Sequence, residues 1–208
     1  MFDVFRNSYD EFLSALLEHI EISFIAIVTA IVLAIFVTIF LNFYKEFSHI
    51  TIYLFSLMYA IPSFALFALL IPITGLGQTT AIIVLVIYAQ YILVRTFLSG
   101  LSQVDKHVIE AAKAMGMTKW QILLKVQFPL AQKSFFTGLR LASTAIIAIA
   151  TIGATINAGG LGVILFDGLR TMNLTKLLWG IILTVGLSLL TNLIIYLVEE
   201  LFQKEYSV

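Results

Sequence analysis

The chain has 208 residues, 61% of them hydrophobic and 12% charged, against roughly 25% charged in an average soluble domain. That much apolar surface has no soluble core to hide in, so the solvent must be lipid. Net charge is zero, which gives no hint of nucleic acid, and the absence of cysteine removes disulfides, thiolate chemistry and cysteine metal sites.

Residues 1–21 hold Asp3, Asp10, Glu11, Glu18 and Glu21. Phe2, Phe5, Tyr9, Phe12, Leu16 and Ile20 follow helical spacing, which predicts a short amphipathic helix on the outer membrane surface. No basic n-region is present, so the segment does not read as a cleaved signal peptide. From Ile22 to Tyr44 there is no charged residue, enough for one spanning helix. A loop at Lys45–His49 follows. From Ile50 to Val94 there is again no Asp, Glu, Lys or Arg. A helix of that length would run about 68 Å, far beyond a hydrocarbon core of about 30 Å, so two spans are folded together near 50–73 and 78–98. Gly75-Leu76-Gly77, with Pro72 just before it, is the natural turn. Pro62 predicts a kink in the first of the two.

A loop runs from about 100 to 130, and within it Glu110–Pro129 is the longest polar interval. Asp105 is placed to cap one short helix, Ser102 with Asp105 has capping-box spacing, and Thr118 with Gln121 repeats it. Val108, Ala112 and Met115 make one apolar face. Gly116 supplies the permissive backbone that ends a helix, and Pro129 is expected to stop the second one. A fourth span is expected near 134–156, broken by Asn157-Ala158-Gly159-Gly160-Leu161-Gly162. Residues 163–176 read as a short, partly buried segment with a loop, leaving room for a sixth, re-entrant element. The last span is placed near 178–201, with a tail at 202–208. The expected fold is thus an all-α integral membrane protein of about five transmembrane helices in a single permease-like domain over 1–208, with spans at 22–98 and 134–201 on either side of the polar loop.

Lysine and arginine set the orientation. All twelve except Arg6, Arg170 and Lys176 fall on the side of Lys45, the 100–130 loop and the C-terminus. That side is expected in the cytoplasm, with the N-terminus outside. No G-x-x-x-x-G-K-[ST] occurs, so ATP is not bound by a P-loop here. His19, His49 and His107 lack metal-ligand spacing and read as interfacial residues. No catalytic residue, metal or cofactor is assigned to this chain. No carboxylate or lysine lies at the centre of a span, where a proton-driven transporter would be expected to keep one, so the energy must come from elsewhere. A non-ATP-coupled channel or a membrane scaffold would need no such polar loop.

Glu110-Ala111-Ala112, three residues, Gly116, nine residues, then Val126-Gln127-Phe128-Pro129 resembles the EAA loop of ABC-importer permeases, with Val126 and Phe128 replacing Ile and Leu. In that family the loop docks into a separate ATPase subunit. The resemblance implies ATPase-coupling roles for Glu110, Ala111, Ala112, Gly116 and Pro129, with ATP and Mg held by the partner. Ile61-Pro62-Ser63-Phe64-Ala65-Leu66, Ile71-Pro72 with Gly75-Leu76-Gly77, and Ala158-Gly159-Gly160-Leu161-Gly162 further resemble the osmoprotectant permeases, which import glycine betaine, carnitine or choline. Methionine permeases share the EAA loop and the glycine-rich run, so uptake of methionine or another amino acid is the alternative, and a methionine-permease-like fold is implied. The expected partners are a dimer of ABC ATPase subunits, a second permease subunit, identical or paralogous, and an extracellular solute-binding protein. The expected setting is the bilayer of a bacterial cell membrane. Aromatic faces hold quaternary ammonium groups, so Tyr59, Pro62, Ser63 and Tyr88 are the candidate path residues.

Overall fold

The computed structural model describes residues 9–205. Among these the elements are helices and turns: α1 (Tyr9–Phe43), a 3-10 turn (Lys45–Phe47), α2 (Ser48–Ala60), α3 (Ser63–Thr74), α4 (Gln78–Ser102), α5 (Lys106–Ala114), α6 (Lys119–Ile122), a π turn (Leu123–Gln127), α7 (Phe128–Ala150), a 3-10 turn (Thr151–Ile156), α8 (Leu161–Arg170) and α9 (Leu174–Glu205). Among the described residues four helical stretches are long and apolar enough to cross a membrane, Tyr9–Phe43, Gln78–Ser102, Lys119–Ile156 and Leu174–Phe202; the bent pair Lys45–Ala60 and Ser63–Thr74 makes a fifth if counted as one span.

The amphipathic surface helix expected over 1–21 is corrected for its described part. Phe2 and Phe5 lie outside the described residues. From Tyr9 onward the chain is already α1, which runs 35 residues to Phe43 without interruption. No glycine or proline stands between Tyr9 and Phe43 to stop it. The inward side of its first turns, Phe12, Ala15 and His19, is buried against protein, not lipid, and Phe12 and Ala15 pack with Leu161 and Ile164 of α8.

Helix α4 is the centre of the bundle. Thr80, Ala81, Val84, Leu85, Ala89 and Val94 are fully enclosed. Lipid tails are as apolar as leucine, so helices associate in a bilayer through close packing and hydrogen bonds rather than through a hydrophobic drive. Both devices are present. Ala26, Ala30 and Ala34 of α1 are completely buried at four-residue spacing, and Gln90 of α4 donates from Nε2 to the Ala30 carbonyl at 3.1 Å. On the α7 side, a Cβ at Gly138 would lie 2.2 Å from Thr96 Oγ1, and one at Gly100 2.5 Å from the Ser134 Cβ. Each helix thus brings a glycine to the other.

The span expected over 50–73 is not one helix. Ile61 (ψ 131°) and Pro62 (ψ 132°) are both extended, and α2 and α3 meet at 96°. Proline removes a donor and excludes the α region from the residue before it; here two successive extended residues turn the expected kink into a break. Pro129 is the opposite case. It was expected to stop a helix, yet it sits in the first turn of α7 inside a stretch that is helical from Lys119 to Ile156. The π turn just before it explains this. Phe128 N–H reaches back to the Leu123 carbonyl, five residues away, and that widening shifts the carbonyls that a proline ring would otherwise meet.

Candidate functional site

The polar interval folds as a helical hairpin whose backbone is closed by its own residues. Asp105 caps α5, accepting from His107 N–H at 2.8 Å. Ser102 does not join it; its hydroxyl donates to the Ser99 carbonyl within α4. α5 ends with Gly116 at φ +81°. Met117 N–H then bonds the Ala112 carbonyl (3.1 Å) and Gly116 N–H the Lys113 carbonyl (2.9 Å), the reciprocal pair of a Schellman ending. Thr118 and Gln121 form the full capping box of α6. The hairpin is anchored beneath by Asn42, which donates to Gln127 Oε1 at 3.3 Å, and by Trp120 packed on Phe43 at 4.7 Å between ring centroids.

The five residues assigned to this element do not share one environment. Glu110 is exposed, facing His107 at 3.8 Å. Ala111 and Gly116 are exposed, and a Cβ at Gly116 would have nothing within 4 Å in this chain. Ala112, in contrast, is buried at 2% and packs inward. Pro129 is half-buried at the root of α7. The apolar face of α5 is also divided, since Val108 (42%) and Met115 (75%) are exposed on either side of buried Ala112. The outward surface therefore offers Val108, Ala111, Met115 and the Gly116 backbone, with Glu110 beside them.

The four path candidates gather at the α2–α3 break. Tyr59 lies 5.6 Å from Tyr88 and 5.0 Å from Tyr91 between ring centroids. The Tyr88 hydroxyl donates to the carbonyl of Ile61, an acceptor left over where α2 ends. At 4% exposure Tyr88 is a strut of the break, whereas Tyr59 keeps 39% of its surface open. Pro62 is exposed and Ser63 partly so. Sequence reasoning passed over Arg95, whose guanidinium bonds the Tyr91 hydroxyl and lies 5.5 Å from the Tyr91 ring centroid. The signal was there: Tyr88, Tyr91 and Arg95 recur on one face of α4.

At the other end of the bundle, the glycine-rich run is held by residues far away in sequence. Gly160 N–H bonds Glu18 Oε2 at 3.0 Å, and Leu161 N–H bonds His19 Nδ1 at 3.3 Å. Because Nδ1 accepts, the ring proton is on Nε2, which donates to the Ile147 carbonyl at 3.1 Å. His19 is thus completely buried, correcting its reading as an interfacial residue: two backbone groups on two other elements use both of its nitrogens. Nearby, Lys176 reaches Asp167 at 2.7 Å and Glu11 at 3.2 Å. Asp167 is held below its ordinary carboxylate range chiefly by the Lys176 hydrogen bond and then by Arg170.

With this geometry in view, the relatives are informative. The carnitine transport permease protein OpuCB of Listeria monocytogenes is 33% identical over 90% of this chain and 86% of its own length. An ergothioneine transport permease/ergothioneine binding protein of Helicobacter pylori is 41% identical over 65% of this chain but 24% of that longer protein. Among solved structures, a methionine ABC transporter in inward-facing conformations superposes with a TM-score of 0.84 over 94% of this chain and 98% of that one, at 22% identity, a likeness of fold. The family model described as binding-protein-dependent transport system inner membrane component matches residues 26–208. The chain is accordingly a multi-pass permease and belongs to that family, the membrane component of ABC importers that work with a binding protein.

Proposed function

We propose that this permease carries a quaternary-amine osmoprotectant, such as carnitine, glycine betaine or choline, and that a separate ATPase drives it through the 106–127 hairpin. The observation that carries the coupling role is the pairing of a self-closed backbone with an open apolar surface: Val108, Ala111 and Met115 are exposed around a glycine at φ +81°. A helix end that needs nothing from its own bundle is free to seat in another protein. ATP and Mg belong to the partner in this reading, as does hydrolysis. The substrate class is supported by the carnitine permease relative and by the half-open Tyr59 ring beside the Pro62 break, since aromatic faces attract quaternary ammonium.

The orientation follows from the cations. In this reading the hairpin end, where Lys45, Lys113 and Lys119 line a cavity of about 340 Å³ together with Glu46, is the cytoplasmic one, and the Tyr9 end of α1 is outside. A second permease subunit and an extracellular binding protein complete the assembly. Freed backbone at membrane depth is tolerated where it lines a cavity, which makes Tyr59, Pro62 and Ser63 the path; Tyr88 supports them.

The deciding experiment pairs Gly116→Val with Glu110→Ala, measuring co-purification of the ATPase and uptake of radiolabelled carnitine, glycine betaine and choline. Gly116→Val should insert normally and lose both ATPase and uptake; Glu110→Ala should lose less, because a rim charge is screened within about 10 Å. Normal assembly and uptake in Gly116→Val would remove the hairpin from the mechanism. Unchanged uptake in both Tyr59→Ala and Ser63→Trp would move the path elsewhere.

A further inference from the structure

A cavity of about 440 Å³ lies where the two long uncharged runs of the sequence end, at Lys45 and at Arg95. These two residues and His49 are its basic side chains, and all three are exposed. Ser48, Ser99 and Ser102 add hydroxyl groups, and among the described residues no acidic one lines it. Among the described residues neither Lys45 nor Arg95 has a carboxylate within salt-bridge distance; Arg95 spends one N–H on the Tyr91 hydroxyl and keeps the rest of its fork. Glu46 is not part of this lining; it lines the neighbouring cavity, which Lys45 shares with Lys113 and Lys119. The remaining wall is aliphatic, with Ile52 and Leu98 among its side chains.

We propose that this cavity binds the phosphate headgroup of an anionic phospholipid, with an acyl chain lying along the Ile52–Leu98 wall. Two basic side chains and a histidine line this cavity and, among the described residues, no carboxylate does, so an oxyanion is the complementary ligand. Free phosphate would satisfy the same cations. The aliphatic wall, and the position at the edge of two membrane-spanning runs, select the lipid as its source. Basic pockets between transmembrane helices are a recurrent form of headgroup site.

The test is native mass spectrometry of the full-length chain in detergent, titrated with phosphatidylglycerol, with phosphatidylcholine of the same acyl chains, and with inorganic phosphate. The wild type should retain phosphatidylglycerol in preference to phosphatidylcholine. Lys45→Gln/Arg95→Gln should weaken that retention about fivefold per cation removed, while Lys133→Gln, outside the cavity, should leave it unchanged. Ile52→Trp, which fills the wall and keeps every charge, should also lose the lipid, so the proposal stands or falls even if the double variant does not fold. Equal retention of the two lipids, or wild-type retention by the charge-deleted or wall-filled chain, would overturn it. Displacement of the lipid by millimolar phosphate would overturn it too, leaving a free-oxyanion site.

Discussion

The hairpin at 106–127 and the glycine-rich turn at 151–173 are both polar interruptions between apolar helices, and both turn on glycines at positive φ. They satisfy their backbones differently. The hairpin's caps come from within a few residues: Asp105, the Met117 and Gly116 amides, Thr118 with Gln121. The glycine-rich turn takes its caps from Glu18 and His19, 142 residues upstream, and its 3-10 end is tied to the α3–α4 turn by Gly77 N–H on the Ile156 carbonyl at 2.8 Å. A locally closed element can keep its surface free for another protein. A remotely closed one is part of the bundle's own structure, and its glycines are there for contact: a Cβ at Gly159 would lie 2.3 Å from Glu18 Oε2, and one at Gly160 2.8 Å from His19 Nδ1, whereas one at Gly116 meets nothing.

The largest effect should come from Gly162→Val. Its Cβ would stand 1.9 Å from the Thr151 carbonyl oxygen, which is backbone with nowhere to yield. Overpacking typically costs about 1–3 kcal/mol even where side chains can move, so this variant should give no monodisperse peak in size-exclusion chromatography. A wild-type profile would break the contrast between the two glycine sets. Next comes His19→Ala, which strands the Leu161 N–H and the Ile147 carbonyl. A buried group left unsatisfied costs about 1–3 kcal/mol, to be read as a lower Tm in detergent and partly restored by His19→Gln. No change in Tm would mean that the remote cap is dispensable.

Smaller still is Gly116→Ala. A side chain in the left-handed region costs about 1–2 kcal/mol, but here the strain is confined to the hairpin. Hydrogen exchange should quicken across 106–118 with global Tm unchanged, and Gly116→Asn should be milder, because asparagine tolerates that region. A global fall in Tm would show that the hairpin is not self-contained. The smallest effect concerns Asp167. Its folded pKa is below the ordinary value of 3.8, so its contribution is present above that value and is lost only as pH falls through the lower folded one. Acidification from pH 7 to 5 should therefore leave the Tm difference between wild type and Asp167→Asn constant, and the two should converge only below about pH 4. Convergence already between pH 7 and 5 would assign the ion pairing to another group.

How far the sequence could be read tracks the distance between partners. The capping box at Thr118, the Asp105 cap and the helix end at Gly116 were legible because both members of each bond lie within five residues. Ser102 was misplaced because its hydroxyl found the Ser99 carbonyl one turn back, an equally local competitor. At Pro62 the proline foretold a disturbance, but not that Tyr88 would take the Ile61 carbonyl and help hold a 96° break. At Pro129 the same chemistry was absorbed by a π turn, which no local pattern in Leu123–Gln127 announces.

By itself, the sequence determined the solvent, the all-helical fold with about five spans, the caps at Asp105, Gly116 and Thr118, and the family resemblance, since each rests on composition, on runs of uncharged residues or on short spacings. Only the tertiary structure decided that Ala112 faces inward, that Tyr88 braces the break while Tyr59 stays open, and that His19 is a buried clasp. It also decided that Lys45, His49 and Arg95 surround one cavity. The physical reason is common to all four. A side chain's role is set by which backbone group, ring or charge a distant element brings within hydrogen-bonding or packing distance, and no local spacing encodes that.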